Sequence, residues 1–487
     1  MNIVRTRGKD YLLLAGLTIA AIGVQGYHPA IEDAEIYTPG ILKLLHPSLF
    51  PYNTEFFESH ARMTFFPQLI AGSIRVAHLP LSAALFAWHV FSIFLLLFGC
   101  WRIARLCFEE KHAAWCGVAL VGSLLSIPVA GTRLFIMDPY LTTRSLSAPG
   151  ALLGAAGALE EKYFTAALWI LFTGAMHPLM AVFAAVYIAM ILFLKFRSRK
   201  SGATGLAAAL PQQLFPPMTP EYREILQTRP YFFLTNWAWY EWLGIFAPFA
   251  ILAWFARIAR HYALGPMNIA CRALVLYGAV FFAMALAISR SGRFENLAEI
   301  QPLRYLHLLY ILMFLFIGGL LGKFVLRRQA WRWAVLFVPL CGGMAYAQQE
   351  ISPATAHLEL PGRASGNPWV QAFEWIRVNT PEDAYFALNP KHMAMPGEDQ
   401  HGFRAIAQRS MLADAVKDSG AASMFPALAG KWKEQAMAQE GWEKFRREDF
   451  LRLKQRYGVN WVVLERPGAA GLTCPYANEL LLVCRIE

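Results

Sequence analysis

Charged residues are scarce in this chain. Asp, Glu, Lys and Arg make up 16% of its 487 residues, against about 25% in soluble globular proteins, which excludes a chain that is soluble throughout. The seven cysteines show no CxxC or metal-finger spacing, so a zinc-stapled module is excluded as well. No internal repeat or low-complexity linker stands out. The first apolar run lacks a small-residue cleavage site and reads as a retained signal anchor. Nucleic acid is excluded by where the charge lies. The formal charge is +11, but the basic residues gather at the ends of apolar spans: Arg5/Arg7/Lys9, Arg102/Arg105, Lys195/Arg197/Arg199/Lys200, Arg257/Arg260 and Lys323/Arg327/Arg328/Arg332. That is the positive-inside pattern by which helices are oriented in a bilayer.

What the chain has in excess is apolar surface, at 56% hydrophobic residues. A spanning helix needs ~20 mostly apolar residues, and candidates lie at 11–27, 81–100, 113–130, 146–160, 162–176, 178–195, 241–258, 269–289, 303–323 and 331–347. With a basic N-terminus inside, residues 32–35 fall outside, 102–111 inside, 133–144 outside, 160–162 inside, His177 outside and 195–200 inside. Arg257 and Arg260 also belong inside, which requires one more crossing. The short segment 202–216, interrupted by Pro211, supplies it, since a broken helix is tolerated where protein surrounds it. The expected architecture is a polytopic α-helical membrane protein of about 11 transmembrane helices over 1–349. Its outer loops are 28–80, 131–145, 217–240 and 290–302. Within the first loop, 61–78 reads as an interfacial helix, and the aromatic stretch at 231–242 as a belt at the headgroups.

From about 350 the texture changes. An amphipathic helix at 368–378 precedes a short strand at 385–388. Helices at 428–440 and 446–457 then lead to β runs at 461–465 and 479–486. Alternating helix and strand signals predict a C-terminal soluble α/β domain over 350–487, long enough for its own core. The threading places it on the outer side. Cys474 and Cys484 could pair there in an oxidising compartment, whereas the other five cysteines are small hydrophobes in or beside apolar spans.

The candidate site residues all fall on that outer side. Glu32, Asp33 and Glu35 crowd the end of the first span, where unpaired carboxylates are costly. Asp33 and Glu35 form a D-x-E pair, spaced to bind one divalent cation such as Mg or Mn, or to share base and hydrogen-bonding roles. Asp138 and Arg144 lie in the second loop, where a guanidinium fork suits phosphate. His177 precedes Pro178 at a helix end. Arg290, Arg293 and Arg304 sit outside against the positive-inside bias. Each has a structural alternative: a solvated loop for the acids, a salt bridge for Asp138 and Arg144, and a helix cap for His177. Pairing with Glu295 or Glu299 would account for the arginines, and interfacial anchoring for Trp237, Trp239, Tyr240 and Trp242.

Taken together, these features resemble the GT-C superfamily of integral-membrane glycosyltransferases. The resemblance rests on the many spans, on Asp33-Ala34-Glu35 in the first outer loop beside an interfacial helix, and on a second acidic loop around Asp138. The stretch WIRVNTPEDAYFALNP looks like the start of that family's extracytoplasmic domain, and FRAIAQRSMLADAVK, with Phe403, Arg404, Arg409, Ser410 and Lys417, is similar to the segment that follows it. The resemblance implies an inverting transferase that moves a sugar from a polyprenyl-phosphate or polyprenyl-diphosphate donor. The acceptor would be a glycan, lipid or protein of the envelope. The site would face outward from a bacterial inner membrane, with a cytoplasmic N-terminus and a periplasmic C-terminal domain. Asp33 would act as base or, with Glu35, as metal ligand, and Asp138 as a second acid. Arg144, His177, Arg293 and Arg304 would contact the donor. No WWDYG-type signature is present, which removes peptide-asparagine glycosylation, and the acidic motif is D-x-E where the family's strict form is D-x-D.

Two other classes compete. A non-catalytic GT-C-like scaffold of envelope polysaccharide assembly would keep the architecture and tolerate loss of the acids. A lipid-linked sugar transporter or flippase would show mid-span charges and inverted repeats, and the spans are largely free of charge. The threading makes a direct prediction: alkaline phosphatase fused after Glu487 is active in cells, and an inactive fusion places the C-terminal region inside and overturns the eleven-span solution.

Overall fold

The computed structural model describes residues 8–125, 132, 134–197, 219–290 and 295–487. The chain enters through α1 (Gly8–Gln25) and then forms three short helices, α2 (Ala34–Leu45), α3 (Glu55–Arg62) and α4 (Phe66–Ala77). The stretch expected to be a loop with one interfacial helix is therefore mostly helical, and α3 and α4 divide the segment 61–78 between them. The bundle continues through α5 (Leu81–Cys107), α6 (Lys111–Ser123), α7 (Thr143–Leu159), α8 (Tyr163–Met176) and α9 (Pro178–Arg197). Next come α10 (Pro220–Gln227), α11 (Trp239–His261), α12 (Gly265–Arg290), α13 (Tyr305–Leu321) and α14 (Ala330–Ile351).

Among the described residues, five helices are long and apolar enough to cross a membrane: Leu81–Cys107, Pro178–Phe196, Trp239–His261, Gly265–Arg290 and Leu297–Leu326. Hydropathy together with the distribution of basic residues predicts eleven, and the difference has a physical basis. The α6 and α8 helices have 13 and 14 residues, about 20 Å at 1.5 Å per residue, short of a ~30 Å hydrocarbon layer. Almost every residue of α7 is buried, so its apolar character serves packing against α5 and α8. The α1 and α14 helices are long enough but carry polar ends, Lys9, Asp10 and Gln25 in one and Gln348, Gln349 and Glu350 in the other. The proposed crossing at 202–216 lies outside the described residues.

The C-terminal region carries a five-stranded sheet: β1 (Tyr385–Ala387), β2 (Ser410–Met411), β3 (Trp461–Glu465), β4 (Thr473–Ala477) and β5 (Leu481–Arg485). Their order is β2-β1-β3-β5-β4, with β1 parallel to both neighbours and the remaining pairs antiparallel. Successive side chains of a strand point to opposite faces, so Trp461 and Val463 join one core with α15 (Pro368–Asn379) and α16 (Phe403–Ala407). Val462 and Leu464 join another with α19 (Arg447–Tyr457). Two further helices, α17 (Asp418–Met424) and α18 (Ala429–Ala438), lie beside α3 and α10. A disulfide joins Cys474 on β4 to Cys484 on β5.

The two parts of the chain meet around residues 26–35. Tyr27 N–H donates to the His357 carbonyl at 3.0 Å, and Glu359 N–H returns a bond to the Tyr27 carbonyl at 2.9 Å. From the other side Glu32 N–H donates to the Gln400 carbonyl at 2.9 Å, and Gly402 N–H to the Ala30 carbonyl at 2.8 Å. Beneath this clamp lies a buried ionic latch. Arg404 forks onto Asp418 at 3.0 and 2.6 Å and turns to Glu35 at 3.4 Å. Glu35 also accepts the Arg404 and Ala405 amides, each at 3.0 Å. A side chain at Gly402 would collide with the Glu35 carboxylate, so close approach requires glycine there.

Removing one partner of a buried ion pair costs about 3–5 kcal/mol, because it strands the remaining charge. Arg404→Ala is expected to destabilise the protein by that order. Lys431→Ala, which breaks the exposed Lys431–Glu55 pair, is expected to cost less than about 1 kcal/mol. Thermal unfolding of the two variants in detergent checks the contrast, and equal shifts would remove the latch.

Candidate functional site

The site is built on the start of α2. Glu32 adopts a left-handed backbone, φ +53°, which is uncommon outside glycine and turns the chain so that Asp33 takes the helix N-cap position. The Asp33 carboxylate then lies between two cations. Arg144 Nη1 approaches Oδ2 at 2.8 Å, and Lys417 Nζ approaches Oδ1 at 3.0 Å. Lys417 also pairs with Glu32. Burial opposes ionisation of Asp33, but Lys417 and Arg144 outweigh it and hold the carboxyl well below the usual range. The side chain keeps 25% of its exposure, so the carboxylate is paired yet accessible.

The exposed edge of Asp33 looks into a cavity of about 120 Å³. Its walls include Tyr37, His60, Arg144, His177, Arg229, Gln301, Arg304 and Lys417. Four of the residues singled out from the sequence, Asp33, Arg144, His177 and Arg304, thus converge from four separate segments of the chain. Lys417, Arg229 and His60 were not on that list of candidates. Arg229 donates to Ser419 Oγ at 2.7 Å and to the Val416 carbonyl. Among the described residues no carboxylate pairs with Arg229 or Arg304, so the cavity lining includes two guanidiniums without acidic partners. The signal that could have found Arg229 is its place, like that of the other irregular arginines, in a segment threaded to the outer side.

The remaining candidates are placed elsewhere. Asp138 does not face the cavity: it sits behind Arg144, accepting from Nη2 at 3.2 Å and Nε at 3.3 Å, with Thr142 Oγ1 at 3.4 Å. It therefore orients the guanidinium that reaches Asp33, which corrects its assignment as a second acid in the site. Glu35 is likewise corrected. Asp33 and Glu35 stand two positions apart where α2 begins, about 200° around the helix axis, so their carboxylates point to opposite sides. Glu35 is fully buried against Arg404, and burial pushes its carboxyl up to about 8, against the pull of Arg404 and two amides. The pair does not fit a shared divalent cation: Glu35 is committed to the latch, and both Asp33 oxygens already hold protein cations. Among the described residues no cluster of three or more His, Cys, Asp or Glu is arranged to hold a metal. Arg290 is exposed and lines no part of the cavity, and Arg293 lies outside the described residues. Trp239 and Tyr240 are exposed while Trp237 is buried, as suits an anchor at the start of α11.

The two histidines are neutral. Burial pushes the His60 imidazole down to about 4, and burial together with Arg304 and Arg144 holds His177 well below its ordinary value. An electropositive recess with one ionised carboxylate, neutral imidazoles and two guanidiniums lacking acidic partners can hold a phosphate and accept a proton beside it. No protein-family model matches the chain, and no curated protein matches it.

The His60 shift fixes a pH dependence. Its folded value of about 4 lies below ~6.5 for an unfolded histidine. Between those values the unfolded chain binds a proton that the folded chain refuses. Stability is therefore fully present above pH 6.5 and is lost as pH falls toward 4. The thermal midpoint of the purified protein is expected to fall over that window, and His60→Gln to remove part of the fall. An unchanged pH profile in the variant would discount the burial of His60.

Proposed function

We propose that the protein is a membrane glycosyltransferase of the GT-C type, using a polyprenyl-phosphate or polyprenyl-diphosphate sugar donor at the face where Asp33 lies. The observation that carries the proposal is the convergence of Asp33 with Arg144, Lys417, Arg229 and Arg304 on one cavity. In an inverting transfer the acceptor hydroxyl attacks the anomeric carbon and the bond from that carbon to the phosphate oxygen breaks. The phosphate leaves with the electron pair, and the hydroxyl proton passes to the Asp33 carboxylate. Arg304 and Arg229 offset the charge that develops on the leaving phosphate. At rest Asp33 is too well paired to be a strong base. A bound donor phosphate would compete for Arg144 and Lys417, which raises the basicity of Asp33 when substrate is present. The donor's polyprenyl tail stays in the bilayer, and the five long apolar helices supply the membrane setting.

A groove of about 580 Å³ on the other side of α2, bordered by Thr38, Leu81, Leu85, Arg363 and Arg377, offers room for an acceptor. One observation favours the scaffold reading instead: both oxygens of Asp33 are already engaged by cations. Complementation of a deletion strain separates the two. Asp33→Asn at normal protein level is expected to lower transfer by about 10²–10⁴-fold, and Arg304→Ala by about 10²-fold, with the donor lipid accumulating by mass spectrometry. Transfer in membranes is expected to persist in EDTA. Undiminished transfer by Asp33→Asn would sink the catalytic reading and leave the scaffold.

A further inference from the structure

A second cluster of cations lies at the opposite end of the bundle. The α11 helix starts near Tyr231 and Phe232, which line the Asp33 cavity, and ends at His261; α12 turns back from Gly265. The turn between them belongs to the far end, where the Tyr262 and Phe324 rings meet at 4.7 Å. Between the two helices is a cavity of about 300 Å³, walled by Arg257, Arg260, Arg272, Ala253, Val275 and Leu276. Arg272 sits seven residues into α12, about 10 Å along its axis from Gly265, at a depth where a charge without a partner is costly. Exposed Trp254, Leu276 and Val280 continue the apolar wall outward.

Several other cations at this end are neutralised by the protein. Arg102 and Lys162 share Glu160, Lys111 pairs with Asp10, and Lys323 pairs with Glu110. Among the described residues no carboxylate or carbonyl answers Arg257, Arg260 or Arg272. Three like charges drawn into one recess repel one another unless an anion joins them. A headgroup phosphate satisfies both halves of the recess, since guanidinium forks match its oxygens and the apolar wall receives an acyl chain. Basic pockets between spanning helices bind anionic headgroups on this principle. We infer that the α11–α12 recess is a binding site for an anionic phospholipid, with its phosphate on Arg257, Arg260 and Arg272. The site is independent of the transferase reading.

Full-length protein in neutral detergent, titrated with cardiolipin, phosphatidylglycerol, phosphatidylcholine or inorganic phosphate and read by native mass spectrometry, tests the site. The two anionic lipids are expected to bind at least tenfold more tightly than phosphatidylcholine. All three arginines are exposed, so Arg257→Ala, Arg260→Ala and Arg272→Ala combined leave the fold intact and are expected to abolish that preference. Arg328→Ala, at the same end but outside the recess, is expected to keep it. A preference that survives the triple variant overturns the site. Inorganic phosphate bound as tightly as the lipids overturns the lipid assignment.

Discussion

The buried guanidinium of Arg404 holds the two parts of this molecule in register. It forks onto Asp418 and faces Glu35, and the amides of its own helix cap the same carboxylate. One consequence is local: the start of α2 is pinned against α16, with Gly402 allowing the approach. The other is remote. Asp418 begins α17, so fixing it also fixes Lys417, the residue before it, whose ammonium reaches Asp33. A charge on the C-terminal region is thereby delivered to a site on the first interhelical stretch. Desolvation makes such an arrangement costly unless every partner is present, which ties the site's integrity to the latch.

The cavity is organised by an imbalance of charge. Arg144 is shared by Asp138 and Asp33, and Lys417 by Glu32 and Asp33, so those cations are largely spent on the protein. Arg229 and Arg304 have no carboxylate among the described residues and are available to an incoming anion. Neutral His60 and His177 add polar surface without adding charge. The same logic applied to the far end of the bundle separates Arg102, Lys111, Lys162 and Lys323, each with its acid, from the three arginines gathered in the α11–α12 recess.

Much of the C-terminal region was legible because its signals are local. The amphipathic stretch at 368–378 and the strands at 385–388 and 461–465 correspond closely to α15, β1 and β3. The strands that escaped are β2, only two residues long, and β4, none of whose residues is fully buried. The membrane threading was less legible, since hydropathy registers apolar residues without telling whether they face lipid or other helices, as α7 demonstrates.

The sequence by itself determined that the chain is largely apolar and helical, and that acids and irregular arginines gather in segments threaded to one side. Composition and periodicity carry that information residue by residue. Only the tertiary structure decided how those residues divide their labour. Asp33 and Glu35 are two residues apart, yet a helix start sends one to the cavity and the other to a buried latch. Lys417 lies 384 positions from Asp33 and touches it. Pairing of charge depends on distances of a few ångströms between segments remote in the chain, and no local pattern in the sequence encodes those distances.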